Sequence, residues 1–347
     1  MIHTVFITGA SGYVGGMLAD QFSKRPDVKK IICLDKREMP EILKGNDKIL
    51  WIQENTAWNT WQETVRANEP TVVIHCAWQI REMYGARRTQ WLWNVEGSQN
   101  VFDFAFDSQS VQKLIHFSTA SSYGAFAGNT LEHHFVEDEH FRENEYLYGI
   151  EKRVAEERLR ARFVRAKISG ATTIPKVYVV RPAAITGPRG RVIVKRFGLQ
   201  SVLKKGLPII PIASATWCRQ FIHEDDVTDI IAKLAFEYSA REYNVFNITP
   251  DSVVLARDMA EVMGKRTFRI TPLIVRVCFF ILWHLSRGRI PTSKGGWKFY
   301  SYPIVLDGSK ITRELSYEYR WQSRAALEKL EGRYAEEALK EISNSPQ

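Results

Sequence analysis

Tyr148 and Lys152 stand four residues apart in the run YGIEK at 148–152. On a helix that spacing puts both side chains on one face. A free tyrosine, with a pKa of about 10, is a poor base at neutral pH, and a nearby ammonium favours its phenolate. The pair suits proton exchange with a carbinol or carbonyl oxygen while a hydride moves on the adjoining carbon. Tyr146 has no such partner, because position 150 is Ile. A Tyr-x-x-x-Lys match by itself is common and usually marks a solvated helix face. Its weight rests on what precedes it.

What precedes it is GASGYVG at 9–15, directly after the apolar run IHTVFIT and before a helical pattern reaching Phe22. Gly9 serves a tight turn, Gly12 a close approach of pyrophosphate to the backbone, and Gly15 helix–strand packing. The first peptide N–H groups of the helix then face the phosphates. Asp35 ends the second strand, 20 residues after Gly15, the separation of a ribose-binding carboxylate. As a strand-end residue it also suits a plain turn. Read as a ligand, it accepts from the free 2′-OH of NAD and repels the 2′-phosphate of NADP, with Lys36 and Arg37 partly offsetting the repulsion. The expected cofactor is NAD.

The elements that must position these groups alternate strand and helix. Apolar runs at 2–8, 30–35, 48–52, 71–77, 111–118 and 176–181 read as strands, with helices around 90–106 and 146–166. Such runs separated by helices indicate a parallel sheet covered on both faces. The loop HFSTASSYG at 116–124 leaves the fifth strand at the ligand-binding end of the sheet, although its composition alone suggests a polar turn. After Pro182 the pattern changes, with helices expected at 223–237 and 252–264. The expected fold is α/β: a Rossmann doubly wound parallel sheet with a smaller discontinuous C-terminal substrate domain. Residues 1–182 plus 216–247 form the first domain, and 183–215 plus 248–347 the second. PLIVRVCFFILWHL at 272–285 is too short to span a bilayer, which takes about 20 apolar residues. It is expected to be a buried or pocket-lining helix, with a membrane-surface or lipid-substrate contact as the lesser reading.

Composition bounds the rest. With 347 residues, 45% apolar and 25% charged, the chain has the length for a sizeable core without disulfide or metal staples. Cys33, Cys76, Cys218 and Cys278 lack metal-ligand or redox-motif spacing, so no metal is expected. With a strand expected within the first few residues, no signal peptide and a cytoplasmic location are expected. The net charge of +9 suits solubility, an anionic small-molecule substrate or an acidic membrane surface. No nucleic-acid-binding motif accompanies it, and nucleic acid is not an expected partner.

Taken in order, GASGYVG, the strand end IHCA, NVEGSQN at 94–100, STASSYG at 118–124, YGIEK, RPAAITGP at 181–188, RQFIHEDD at 219–226 and LDGSKITRELSYEYRW near the end resemble the extended short-chain dehydrogenase/reductase superfamily, of the NAD-dependent epimerase/dehydratase type. The resemblance covers most of the chain. It implies that Thr119 hydrogen-bonds the reacting oxygen, that Tyr148 is the acid/base, and that Lys152 binds the nicotinamide ribose and lowers the tyrosine pKa. It further implies cofactor contacts from Tyr13 and Val14 amides, from Cys76, Ala77 and Trp78, from Asn94 and from Ala183. A homodimer is expected. Arg219 matches an arginine that grips the substrate diphosphate in sugar-nucleotide epimerases, although a salt bridge to Glu224, Asp225 or Asp226 suits it nearly as well.

Departures from the pattern bear on substrate. Sugar-nucleotide 4,6-dehydratases carry Asp-Glu after the catalytic Thr, where this chain has Ala120 and Ser121. Many epimerases carry Asn where Ala184 stands. The leading expectation is a 4-epimerase-like or dehydrogenase activity on a nucleotide sugar, supported by Arg219 and the basic run Arg189–Arg196. One alternative is a hydroxysteroid dehydrogenase-like enzyme or ketoreductase for an apolar alcohol or ketone, supported by Ala184 and the 272–285 helix. Another is a non-catalytic NAD-binding regulatory protein, which the presence of Thr119, Tyr148 and Lys152 opposes.

Overall fold

A computed structural model of the chain describes residues 2–190 and 209–343; most of the basic run 189–196 therefore lies outside the described residues. The apolar runs form seven parallel strands: β1 (His3–Thr8), β2 (Val28–Asp35), β3 (Ile49–Gln53), β4 (Val72–His75), β5 (Lys113–Phe117), β6 (Lys176–Pro182) and β7 (Tyr243–Ile248). They lie in the order β7-β6-β5-β4-β1-β2-β3. Successive side chains of a strand point to opposite faces. Val5 and Ile7 of β1 thus join one buried cluster with Met17, Leu18 and Ile231, while Phe6 joins another with Trp61, Val73 and Phe104. The first face is covered by α1 (Tyr13–Ser23) and α4 (Glu224–Ala232), the second by α2 (Gly97–Asp107) and α3 (Leu147–Ile168). Because both faces are dry, the strands read as continuous apolar runs rather than alternating ones. The strand order reverses between β1 and β4, and the crevice at that switch point is where such sheets bind ligands.

The helix expected at 90–106 is not regular. A helical turn at Arg87–Trp91 passes into a wide π turn at Leu92–Glu96, where the Gly97 N–H reaches the Leu92 carbonyl, before α2 begins. The helix expected at 252–264 starts only at Ala256, because Val254–Leu255 pairs antiparallel with Cys218–Arg219.

Past Pro182 short strands pair in twos, Ala184–Thr186 with Phe221–His223 and Ile209–Ile212 with Arg266–Arg269. A separate apolar cluster fills this region, with Ile212, Trp217, Phe221, Val254 and Met259. Ile311, Leu315, Tyr317 and Tyr334, from the C-terminal part of the chain, instead join the core under α1 and α4.

The segment 272–285 forms α5 (Pro272–Leu285), but the expectation of a buried or pocket-lining helix fails. Only Val275, Phe279 and Trp283 are buried, a single strip at four-residue spacing, and none of the helix lines the main cleft. A run apolar on every side carries no periodic signal of which face is covered. Among the described residues no helix is long and apolar enough to cross a membrane.

Candidate active site

A cleft of about 1300 Å³ opens at the switch point. Of the residues singled out from the sequence, Gly9, Gly12, Tyr13, Val14, Gly15, Asp35, Lys36, Cys76, Ala77, Trp78, Asn94, Thr119, Tyr148, Ala183 and Arg219 all line it, and Lys152 lies behind it.

The glycine loop fits a dinucleotide on geometric grounds. Gly9 has φ +71°, and a Cβ there would lie 2.6 Å from the Ala77 Cα. A Cβ on Gly15 would lie 2.4 Å from the Gly9 carbonyl oxygen. Helix α1 starts at Gly12 with no side-chain cap and no acidic residue in its first turn. Its first N–H groups therefore face the cleft without a competing carboxylate. The Tyr13 ring turns inward, its hydroxyl bonded to Glu224, which leaves the backbone to the cleft.

Buried Asp35 accepts from the Ser11 N–H at 3.1 Å, from the Arg37 N–H at 3.0 Å and from the Arg37 guanidinium at 3.4 Å. A carboxylate has about four lone-pair directions, so capacity remains for a ribose hydroxyl. Lys36 stacks its ammonium 3.7 Å from the Trp93 ring centre, and burial lowers its pKa.

Asn94 sits in the π turn. It accepts from the Gln79 N–H at 2.7 Å, donates to the Gln79 carbonyl at 3.0 Å and donates to Glu151 at 2.7 Å. It thereby pins the chain that leaves β4 through Cys76, Ala77 and Trp78. Burial pushes the Glu151 carboxyl pKa up, opposed by hydrogen bonds from Asn94 and Gln90. Glu151 lies inside YGIEK, yet in sequence it reads as a solvated charge.

Tyr148 occupies the first turn of α3 and Lys152 the next. Burial raises the pKa of the Tyr148 phenol, and the neighbouring Thr119 hydroxyl opposes the rise. The lowering expected from Lys152 is absent. The ammonium donates instead to the Phe117 carbonyl and sits 3.6 Å from the centre of the Trp78 ring. Burial lowers Lys152 to about 7. Behind it the rings of His75 and His116 stack 5.4 Å apart. Burial keeps both neutral, with His75 brought down to about 3.

Arg219 forms no salt bridge to Glu224, Asp225 or Asp226. Those carboxylates are engaged elsewhere: Glu224 with Tyr13 and the Arg189 and Gly190 N–H groups, Asp225 with the Arg333 N–H, and Asp226 with Tyr317 and the Arg320 N–H. Arg219 instead donates to the Phe299 carbonyl at 3.3 Å and stacks 5.1 Å from the Tyr300 ring centre. The segment carrying Phe299 and Tyr302 roofs this end of the cleft. It escaped the sequence reading because no spacing rule links it to Tyr148, far earlier in the chain. It is held there by Lys298, which pairs at 2.7 Å with Glu143, a residue that also accepts from the N–H groups of Asn144, Glu145 and Tyr146 at the start of α3.

An uncharacterized protein of Mycobacterium tuberculosis is 22% identical over 334 residues, spanning 93% of this chain and 82% of its own. Among solved structures, the enzyme WbmG of Bordetella bronchiseptica in complex with NAD and UDP superposes with a TM-score of 0.69 at 19% identity, covering 99% of this chain and 94% of its own. UDP-glucose 4-epimerase of Thermotoga maritima with UDP-glucose gives 0.69 at 19% identity, covering 98% and 100%. At such identities the structures share the fold. The model of the NAD dependent epimerase/dehydratase family matches residues 5–249. The chain belongs to that family, whose cofactor is NAD.

Proposed function

We propose that this protein is an oxidoreductase or epimerase acting on a nucleotide sugar, closer to a 4-epimerase than to a 4,6-dehydratase. The observation that carries the reading is the placement of Thr119 and Tyr148 in the same cleft as the glycine loop, Asp35 and Arg219. NAD bound there supplies the hydride acceptor. Tyr148 exchanges a proton with the reacting sugar oxygen, Thr119 hydrogen-bonds that oxygen, and Lys152 lies one turn behind on the cofactor side. Burial favours the neutral phenol, the form that donates a proton to the carbonyl oxygen in the half-reaction that reduces the sugar. The reverse direction returns the proton to it. Ala120 and Ser121 beside Thr119 offer no carboxyl for water elimination. UDP or UDP-sugars occupy several proteins of like fold, among them one solved with UDP-glucuronic acid and NAD. The apolar-substrate reading loses its main support, since α5 does not line the cleft.

Arg219 provides the sharpest test of substrate class. A guanidinium holds two phosphate oxygens at once, and this one is not consumed by a carboxylate. Arg219→Ala is expected to weaken a UDP- or GDP-type ligand roughly 10–100-fold, the scale of one lost charged hydrogen-bond set, with thermal stability and NAD affinity unchanged. Calorimetry with NAD present measures this. If the native protein binds no nucleotide sugar, the substrate assignment fails.

Cofactor choice is tested at Asp35. Asp35→Ala is expected to weaken NAD roughly 10–100-fold and to narrow the preference over NADP, as read by titration of protein fluorescence with each dinucleotide. Tighter binding of NADP than NAD by the native protein would contradict the role.

A further inference from the structure

Residues 265–300 hold eight Lys or Arg and no Asp or Glu. Six of these cations, Arg266, Arg269, Arg276, Arg287, Arg289 and Lys294, are exposed. Between them runs α5, whose outer faces present Leu273, Val277, Phe280, Ile281 and Leu285 to solvent, with Leu273 66%, Phe280 65% and Leu285 80% exposed. Phe268, just upstream on the strand Arg266–Arg269, is exposed as well. A contiguous apolar surface of this kind marks an interaction site, and its charge decides the partner. A second copy docked across a two-fold axis would set this patch against itself, bringing arginines against arginines with no carboxylate of the stretch to relieve them. The partner must therefore be both apolar and anionic. A nucleic-acid backbone meets only the second demand.

We propose that α5 beds in the interfacial layer of an anionic lipid bilayer, its apolar side chains among the upper acyl chains and the flanking arginines on lipid phosphates. At 1.5 Å per residue a helix of this length extends about 21 Å, which suits lying in the interface rather than crossing the bilayer. The patch continues to the active-site cleft. The Tyr84 ring packs against Trp283 and His284 of α5 at 5.5 and 5.8 Å, and Tyr84 belongs to the loop whose residues Ile80 and Arg81 line the cleft. Both Ile80 and Tyr84 are exposed. The bound protein would hold one rim of its cleft at the membrane surface. This inference stands apart from the substrate reading and is tested without turnover.

The experiment is co-sedimentation of the full chain with vesicles of phosphatidylcholine, alone or mixed with phosphatidylglycerol. Binding is expected to the mixed vesicles, to be weak on phosphatidylcholine alone, and to fall as salt rises. Leu273→Glu with Phe280→Glu, and separately Arg266→Glu with Arg269→Glu, are each expected to weaken it roughly tenfold or more. All four side chains are exposed, so melting temperature and NAD binding should hold in both variants and serve as the folding control. Absence of sedimentation with mixed vesicles overturns the proposal, as does sedimentation that neither variant alters. It is equally overturned if light scattering without vesicles shows an oligomer that Leu273→Glu with Phe280→Glu disperses, since a second copy then covers the patch.

Discussion

Replacing Tyr148 by Phe is expected to lower kcat roughly 10²–10⁴-fold, the usual contribution of a positioned general acid or base. The change removes one hydroxyl from a half-buried ring that lines the cleft. Fold, melting temperature and NAD affinity should therefore stay near native. The measurement is turnover of a nucleotide sugar, followed by the absorbance of reduced cofactor or by product chromatography. The loss should fall mainly on kcat, because the bond to the reacting oxygen strengthens as the proton moves. A Tyr148→Phe enzyme within a few-fold of native turnover would remove Tyr148 from the chemistry. Thr119→Ala should show a smaller loss in the same direction, since Thr119 lines the cleft beside Tyr148.

Tyr148 and Lys152 were legible in the sequence because one helical turn brings them together, and helical spacing is a local property of the chain. The glycine loop and Asp35 were legible for a related reason: a strand, a tight turn and a helix follow one another without a long-range partner. What the spacing did not convey is where the Lys152 ammonium points. That depends on the Phe117 carbonyl at the end of β5 and on the Trp78 ring beyond β4, two neighbours supplied by the sheet. Arg219 shows the same limit from the other side. Three carboxylates within seven residues made a salt bridge plausible, yet the turn into α4 points each of them at a different element.

Lys298→Met is expected to cost about 3–5 kcal/mol of stability, the scale of breaking a buried ion pair from one side. Both side chains are nearly inaccessible, at 5% for Lys298 and 0% for Glu143. The lost ammonium leaves a buried carboxylate whose second oxygen already has no partner among the described residues. Urea unfolding with linear extrapolation measures the loss. Adding Glu143→Gln should recover part of it, because the uncompensated charge goes with the second change. The consequence reaches the cleft. Phe299, next to Lys298, packs its ring 4.9 Å from Tyr146 and offers the carbonyl that Arg219 uses. Nucleotide-sugar affinity should therefore fall along with stability, whereas a loss below about 1 kcal/mol would place the pair outside the folded core's essential contacts.

Nothing local announces this pair, for it joins positions 155 residues apart. A lysine in GGWKFY reads as surface charge until the loop ahead of α3 closes over it. Helix α5 failed in the opposite sense. Its fourteen residues are so evenly apolar that composition implied burial, and only packing shows that one narrow strip is covered. Local order in the first half of the chain was therefore readable, whereas the roof of the cleft and the exposure of α5 depended on distant partners.

The π turn at Leu92–Glu96 bears on how chain length at this point relates to the site. Each residue of an α-helix advances the next by about 100° around the axis, so the wide turn acts as an inserted residue that re-phases the two helical stretches it joins. Asn94 faces Gln79 and Glu151, while one turn on Ser98 faces His75 at 2.8 Å and Gly97 is pressed against Thr56, where a Cβ would meet the hydroxyl at 2.6 Å. Excising a single residue here would shorten nothing that solvent sees. It would rotate one of these contacts away from its partner, so that a helix improved in its own hydrogen bonding would hold either the cleft loop or the sheet, but not both.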